Sequence, residues 1–394
     1  MADVIRRRGL QTRSEMAGIS RRPIFLGEVR QTSFQKGDKM NVRQFVAGLL
    51  VMASAAPGFA EDLDIGLKGK QYQARVVLSG LSNPSSVSFS PAGVLTVCDS
   101  ANGQVLLVKD GKSEKYITGF TTEYWKVDAE TGAKRFKLGP LSSVWVNEKT
   151  LAVTNAGLAD GEETVLFFDG PGTAAEGKAT NAVGPTSDDP KDKGEGNLTG
   201  LSLSEDGSTI YVAGQGADAK TWLLSVDVAS KKMTGLASAD AAGIEINSPM
   251  ATIPWNKQSI LALYSGAGGK DDGLIVQWNV KTGKVIKKWT LPGLTDPMGF
   301  AKLPDGRGLV VVDNNWALTE VKAGRLARVS FPKEGDEAKV NIISEGLHGP
   351  VSCAFGPDGD LYIAQLGSEF DKDKGQIIAV SGIKAFQPKK LQAE

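Results

Sequence analysis

Histidine is nearly absent from this sequence, since His348 is the only one among 394 residues. Paired histidines of the His-Glu-x-x-His kind, which hold catalytic zinc, and histidine clusters for lyase or copper chemistry are therefore excluded. His348 alone can still act as a general base, although a loop histidine more often has no special role. No Gly-x-Ser-x-Gly or P-loop motif occurs, so serine-hydrolase and nucleotide-phosphate chemistry lack their signatures.

Cysteine is almost as scarce, with Cys98 and Cys353 as its two examples. Two cysteines cannot form the disulfide scaffold of a small exported domain, and a chain of this length can build a core without one. Both fall on predicted strands. Facing sheets lie about 10 Å apart, whereas a disulfide needs Cα atoms within about 7 Å of each other. We expect two buried, reduced thiols, and a single bridge is the alternative.

Long apolar runs are missing as well, because the longest one, residues 45–56, is too short to span a bilayer. It follows a short basic segment that begins at Met40 and precedes Pro57-Gly58-Phe59-Ala60, which is the order of a secretory signal peptide. We expect cleavage after Ala60, a periplasmic or secreted protein, and no membrane anchor. The predicted division is a non-native upstream extension or disordered segment over 1–39, the signal peptide over 40–60, and a single domain over 61–394.

The sequence has no excess of positive charge, with 45 basic and 45 acidic residues. Residues 1–60 hold 10 of the basic and 4 of the acidic residues, which leaves 35 basic against 41 acidic residues and a net charge of −6 for residues 61–394. Nucleic acid binding needs a basic surface, so this class of function is excluded. We expect a small polar ligand or a protein partner, and a monomer.

What the sequence does contain is an internal repeat. Residues 84–99 read as strand, tight turn and strand, and residues 350–365 match them position by position. With four weaker copies between them, the repeats begin at Pro84, Leu141, Leu198, Pro249, Pro297 and Pro350. The spacings of 57, 57, 51, 48 and 53 residues each fit one four-stranded blade with its loops. The sequence predicts an all-β, six-bladed β-propeller with four-stranded antiparallel blades, and five or seven blades is the alternative.

A spare strand, residues 72–78, precedes the first repeat, while the last repeat runs out of chain for a regular fourth strand. We expect the N-terminal strand to complete the last blade. Such pairing would close the ring by hydrogen bonds between the two ends of the domain and would leave no free radial edge.

The pattern Pro-x-x-Val-x-Phe-x-Pro-x-Gly-x-Leu-x-Val-x-Asp at 84–99 resembles the repeat of six-bladed NHL-type propellers and of the senescence-marker/gluconolactonase superfamily, the TolB-like group. The resemblance covers roughly residues 70–385. It implies the blade but no single activity, since propellers include hydrolases, lyases and scaffolds. The resemblance to gluconolactonases also implies a divalent cation held by oxygen ligands, among them an Asn and an Asp. Thr199 and Met298 stand at those positions here, and a thioether is a poor calcium ligand, so that site is not carried over.

Loop lengths distinguish the two faces of the predicted ring. The face where the first strands begin carries the long insertions 118–140 and 171–197, and long loops on a rigid scaffold often carry function. Polar residues before first strands and after second strands should surround the channel mouth there, with Tyr124 and Trp125 nearby. The candidate ligand-binding residues are Asn83, Asp99, Asn155, Asp296, Asp313, Asn314, Trp316, His348 and Gln365. The candidate metal ligands are Asp99, Asp296 and Asp313, with calcium as the one cofactor left open.

Two functions are carried forward. The favoured hypothesis is an exported binding or scaffold protein that recognises a partner or a small polar ligand on the long-loop face, because the repeat is intact and no catalytic constellation is recognisable. The alternative is a cation-dependent lactonase or esterase-type hydrolase of the gluconolactonase-like class. The sequence alone leans away from an enzyme.

Overall fold

A computed structural model describes residues 63–127, 130–159, 161–182, 195–216, 222–244, 249–315, 324–370 and 372–383. The predicted upstream extension, the predicted signal peptide and the candidate Trp316 lie outside these residues. Within the described part of the chain, no helix has the length and apolar character needed to cross a membrane.

Strands dominate the described residues, and helical structure is limited to short 3-10 turns at Ser100–Asn102, Ala174–Glu176 and Ala239–Ala242. In chain order the strands are β1 (Gln73–Leu81), β2 (Pro84–Phe89), β3 (Leu95–Asp99), β4 (Gln104–Lys109), β5 (Lys112–Thr118), β6 (Glu123–Val127), β7 (Lys134–Leu138), β8 (Ser143–Trp145), β9 (Leu151–Asn155), β10 (Thr164–Phe168), β11 (Gly172–Thr173), β12 (Lys178–Ala179), β13 (Glu195–Leu203), β14 (Thr209–Gly216), β15 (Trp222–Asp227), β16 (Met233–Ser238), β17 (Pro249–Asn256), β18 (Ser259–Tyr264), β19 (Leu274–Asn279), β20 (Val285–Thr290), β21 (Pro297–Lys302), β22 (Leu309–Asp313), β23 (Gly324–Ser330), β24 (Lys339–Leu347), β25 (Pro350–Phe355), β26 (Leu361–Gln365) and β27 (Gly375–Ser381).

These strands form six blades, each built on four antiparallel strands, which confirms the predicted fold class. Blade 1 contains β2 to β5, blade 3 β13 to β16, blade 4 β17 to β20 and blade 5 β21 to β24. Blade 2 contains β8, β9, β10 and the two-residue β12, and blade 6 contains β25, β26, β27 and β1. The repeat spacing therefore predicts the blade count correctly.

The N-terminal strand pairs with the third strand of blade 6. Its antiparallel register runs from Gln73 opposite Ser381 to Leu81 opposite Gly375, with two irregular steps. The strand predicted over 72–78 is therefore present, extends to Leu81, and lies where a fourth strand of the last blade belongs.

The core lies between the blades, because every blade is apolar on both faces. In the described residues, apolar clusters fill each boundary between neighbouring blades, as where Val312 of blade 5 packs with Ile363 of blade 6. All five residues of Leu309–Asp313 are buried. Such short continuous apolar runs are typical of strands covered on both faces. Fully burying each large aliphatic side chain contributes about 1.5–3 kcal/mol.

Glycines at the start of third strands allow the next blade to approach. A Cβ atom on Gly375 would lie 2.3 Å from Cδ of Pro84, and one on Gly324 would lie 2.3 Å from Cδ of Pro350. Real side chains do not make contacts this short, so the proline that begins each of these repeats requires a glycine in the preceding blade. The proline at the start of a repeat and the glycine at the start of the preceding blade's third strand therefore pack directly against each other.

The first long insertion, 118–140, forms an antiparallel hairpin of β6 and β7. The second insertion contributes β11, which pairs in parallel with β5 of blade 1, and β12 of blade 2. Residues 183–194 of this insertion lie outside the described part of the chain. The first insertion therefore contributes both strands of a hairpin to the described part of the chain, while residues 128 and 129 between them lie outside it.

Both cysteines are buried, free thiols on different blade boundaries. Cys98 packs between blades 1 and 2, whereas Cys353 packs between blades 5 and 6. The expectation of reduced thiols therefore agrees with the structure. Blades 6 and 1 are neighbours, but each thiol faces the side of its blade that is turned away from the boundary between them.

These thiols should be unreactive until the protein unfolds. Burial raises the pKa of Cys98 to about 11 and that of Cys353 to about 12, so both remain protonated near neutral pH. Titration with a chromogenic disulfide reagent is expected to detect no thiol in the native protein and two after unfolding in non-reducing denaturant. A native thiol count of one or two would contradict the burial of these residues.

Candidate functional site

One side chain from near the start of each first strand contributes to a ring at the channel mouth. The six residues are Ser85, Leu141, Thr199, Met250, Met298 and Val351, and they line one cavity of about 90 Å³. The strand starts meet there because first strands are the innermost strands of a propeller. In five blades, the ring residue follows the residue at which the repeat begins.

The β6–β7 hairpin covers this ring. Trp125 and Leu138 complete the wall of the cavity, and Phe136 joins them around an adjoining cavity of about 80 Å³. Phe136 contacts the ring of Trp125 within the hairpin at 5.8 Å and the ring of Phe370 of blade 6 at 5.0 Å. The hairpin, which connects blades 1 and 2, is thus also held against blade 6.

Hydrogen bonds fix the hairpin to blade 1. Nδ2 of Asn83 donates to the carbonyl oxygen of Lys137 at 3.1 Å, and the N–H of Gly139 donates to Oγ of Ser100 at 2.8 Å. Tyr124, the other aromatic residue predicted on this face, is 37% exposed, whereas Trp125 faces the cavity. Of the two hairpin aromatics named from the sequence, Trp125 is the one that lines the candidate site.

The ring polar groups connect neighbouring blades. Oγ of Ser85 donates to the carbonyl of Pro140 at 3.0 Å, and Oγ1 of Thr199 donates to the carbonyl of Pro249 at 3.0 Å. Outside the ring, in the wall of the adjoining cavity, Nδ2 of Asn314 donates similarly to the carbonyl of Pro350 at 3.1 Å. Because the hydroxyl donors of Ser85 and Thr199 are used in this way, their oxygen lone pairs are what these two groups still offer to a ligand.

Asp99 supports the loops around its own blade. It is 1% exposed and accepts hydrogen bonds from the N–H of Ser82 at 2.7 Å, from Nδ2 of Asn102 at 2.8 Å and from Nε2 of Gln104 at 2.7 Å. Gln365 has the same place in blade 6, where its Oε1 accepts from the N–H of His348 at 3.0 Å. The structure therefore gives both residues a role in fixing the chain that leads into the first strand.

Asp313 and Asp296 lie together in blade 5, and both are fully buried. Asp313 accepts from the N–H of Asp296 at 2.7 Å and forms an ion pair with Arg325 at 2.8 Å. Asp296 accepts from the N–H of Gly269 at 3.0 Å. Burial raises the pKa of Asp313, while Arg325 and the backbone donors oppose that change.

Two predicted asparagines have an oxygen without a donor in the described structure. Oδ1 of Asn314 and Oδ1 of Asn155 are both buried and accept no hydrogen bond there. Asn314 shares the adjoining cavity with Asn83, so the structure brings these two predicted residues together. Asn155 ends β9 in blade 2, away from them.

The mouth ring does not fit the cation site implied by the gluconolactonase resemblance. Thr199 and Met298 both line the cavity, and they stand where the resemblance implies an Asn and an Asp. The complete ring offers two hydroxyls and two thioethers, with no carboxylate among its six side chains. Calcium requires oxygen ligands with negative charge among them, so this donor set does not suit it.

Below the ring, between the first strands, the channel contains a larger cavity of about 470 Å³. Paired hydroxyls connect neighbouring blades along it, with Oγ of Ser88 3.1 Å from Oγ of Ser143 and Oγ of Ser202 2.8 Å from Oγ1 of Thr252. Polar and apolar side chains line this part of the channel in similar measure. The surroundings at the mouth, beneath the hairpin, are more apolar.

The architecture is that of a six-bladed β-propeller with its mouth covered by an insertion. No family model matches the chain, and no curated protein matches it. Solved structures do resemble it. A Thermus thermophilus protein named as a putative oxidoreductase (glucose dehydrogenase) has 14% identity and a TM-score of 0.51, with 78% of this chain and 99% of that chain covered.

Two further structures are similar to the same degree. The PQQ-bound aldose sugar dehydrogenase of Streptomyces coelicolor has 13% identity and a TM-score of 0.50, over 78% of this chain and 98% of that one. A gluconolactonase of Xanthomonas campestris has 12% identity and a TM-score of 0.50, over 82% and 95%. At such identities the similarity establishes the propeller fold and does not transfer a substrate.

Proposed function

We propose that this chain is an exported, monomeric propeller that binds a small sugar-like ligand beneath the β6–β7 hairpin. The observation that carries the proposal is the side-chain oxygen Oδ1 of Asn314, which is buried in the wall of the adjoining cavity and accepts no hydrogen bond within the described structure. Its amide is oriented by the bond from Nδ2 to Pro350, so the oxygen is identified. An unsatisfied acceptor of this kind is expected to receive an O–H or N–H from a bound molecule.

The rest of the wall favours a ligand with an apolar face. Trp125 and Leu138 cover the cavity, while the hydroxyls of Ser85 and Thr199 supply acceptors on its floor. A sugar ring presents C–H groups that pack on an indole and hydroxyls that donate hydrogen bonds. Sugar chemistry also appears in the names of the structurally similar proteins, which supports sugars as the first probes.

Replacement of Trp125 by alanine is expected to weaken sugar binding at least about tenfold, or about 1.4 kcal/mol. The physical reason is loss of the ring that covers the ligand and excludes water. Isothermal titration calorimetry with D-glucose and D-glucono-1,5-lactone measures the effect. Tyr124→Ala is the matched control, since Tyr124 belongs to the same strand but is 37% exposed, and it should change binding less than about twofold.

The same titration decides between binding and hydrolysis. Steady acid release from the lactone, dependent on an added divalent cation, would replace the binding proposal with the lactonase or esterase-type alternative. No heat with either sugar, and equal affinities for Trp125→Ala and the unaltered protein, would each remove the proposed ligand site.

A further inference from the structure

The two cavities beneath the β6–β7 hairpin adjoin each other along a shared wall. Five residues line both of them, namely Ser85, Trp125, Leu138, Leu141 and Met298. Trp125 and Leu138 belong to the hairpin, whereas the other three belong to the mouth ring below it. A molecule that lies between the indole and the ring can therefore reach into both cavities.

Each cavity has in its wall an asparagine whose side-chain oxygen receives no donor. Asn197 lines the cavity of about 90 Å³, and Asn314 lines the adjoining one. Among the described residues, Oδ1 of both side chains is buried and accepts no hydrogen bond. Such an oxygen costs free energy when it is removed from water without a partner, so each is expected to receive a donor from a bound molecule. The φ angle of +49° at Asn197 explains why an asparagine suits that position, but it does not explain the unsatisfied oxygen.

The two asparagines approach the mouth from different sides. Asn197 lies in β13, directly before the residue at which the repeat of blade 3 begins. Asn314 directly follows β22 and donates to Pro350, the first residue of blade 6. The apolar clusters between neighbouring blades place blades 3 and 6 opposite each other in the ring of six. Trp125 lines both cavities, so its indole covers the space that separates the two oxygens.

We infer that one ligand extends through both cavities and donates a hydroxyl to Asn197 at one end and to Asn314 at the other. The inference rests on the proposed sugar site and narrows its ligand to an uncharged polyhydroxyl compound, such as a pyranose with hydroxyls on opposite sides of its ring. Among the described residues that line the two cavities, none has an acidic or basic side chain. Burial of a carboxylate or phosphate without a counter-charge is costly, so sugar acids and sugar phosphates should bind poorly.

Asn197→Gly tests the second contact, because glycine accepts the positive φ angle and the substitution removes the side-chain oxygen. Calorimetric titration of the full chain with D-glucose should show an affinity at least about tenfold lower for this variant. Asp110→Gly is the matched control, because Asp110 is exposed at the turn between β4 and β5 and has a φ angle of +52°. The control should change the affinity less than about twofold. Without ligand, Asn197→Gly should melt no lower than the control, since the deleted oxygen has no partner to lose.

Singly deoxygenated glucoses identify the hydroxyl that meets each oxygen. With the unaltered chain, removal of either of two hydroxyls on different sides of the ring should weaken binding at least about tenfold. In Asn197→Gly, one of these losses should shrink below about twofold, because the oxygen that received that hydroxyl is already gone. The other loss should persist, because Asn314 is still present.

The outcomes separate this inference from the proposed sugar site. Equal affinity of Asn197→Gly and the unaltered chain for D-glucose would overturn the inference and leave the sugar site in place, as would binding of D-gluconate as tight as that of D-glucose. If Asn197→Gly does not fold, the deoxygenated series with the unaltered chain decides, and a single sensitive hydroxyl, or none, overturns the inference. If no sugar binds to the unaltered chain, the proposed function fails and this inference fails with it.

Discussion

A chain that begins at Gly80 is expected to aggregate or to melt far below the complete domain. The truncation removes nearly all of β1 and exposes the backbone edge of β27, whose residues from Gln376 to Ser381 would lose their partners. It also removes Ile65 and Ala74 from the core cluster between blades 5 and 6. A loss above about 5 kcal/mol is expected, because a whole strand and its packing are missing.

Thermal unfolding and light scattering measure the effect of this truncation. A chain beginning at Glu61 is the control, since it keeps every described residue and should melt as the full chain does. A chain beginning at Tyr72 separates the contribution of Ile65 from that of the strand. Unchanged stability in the chain that begins at Gly80 would show that the N-terminal strand does not close the ring.

The blade architecture was predictable because its signals are local and repeated. Ser90-Pro91-Ala92-Gly93 and Gly356-Pro357-Asp358-Gly359 mark the same turn in the first and last blades, and apolar strands flank each of them. The hairpin over the mouth was not predictable as a hairpin, since residues 118–140 match no other repeat. The length of the segment and the presence of Tyr124 and Trp125 were the signals that drew attention to it, and of these two aromatic residues Trp125 lines the cavity.

Of the residues chosen from the sequence, Asn83 and Asn314 line the adjoining cavity, whereas several other residues of the two cavities stand one or two positions away from a chosen one. Carboxylates such as Asp99 and Asp313 look like ligands in a sequence, yet nearby backbone N–H groups compete for the same oxygens. The ring residue beside Asp296 is Met298, and Met250 is its counterpart in blade 4. Apolar side chains at these places carry no chemical signal, so only the geometry of the ring identifies them. A ligand role for the acidic residues stays a prediction.

Replacement of Arg325 by leucine is expected to lower the free energy of unfolding by about 3–5 kcal/mol near neutral pH, the usual cost of removing one partner from a buried ion pair. Arg325 donates to Asp313 from Nε at 3.0 Å and from Nη2 at 2.8 Å. Asp313 is fully buried, so its charge would be left with only backbone donors from Thr295 and Asp296. Urea denaturation of both proteins measures the difference.

The size of this loss should depend on pH. Burial already raises the pKa of Asp313 in the native protein, and removal of Arg325 raises it further, while the unfolded chain keeps an ordinary value near about 3.9. As pH falls from above the raised value towards the ordinary one, the folded variant binds a proton that the unfolded chain does not, so its stability increases. The difference in the free energy of unfolding between the unaltered protein and Arg325→Leu should therefore decrease as the pH falls from about 7 to about 4.5. Arg307→Leu is the control, because the Arg307 side chain is 57% exposed where it pairs with Asp305 at 3.5 Å, so its loss should cost less than about 1 kcal/mol. A deficit for Arg325→Leu that equals that of Arg307→Leu, or that grows on acidification, would show that Asp313 does not depend on Arg325 as a counter-charge.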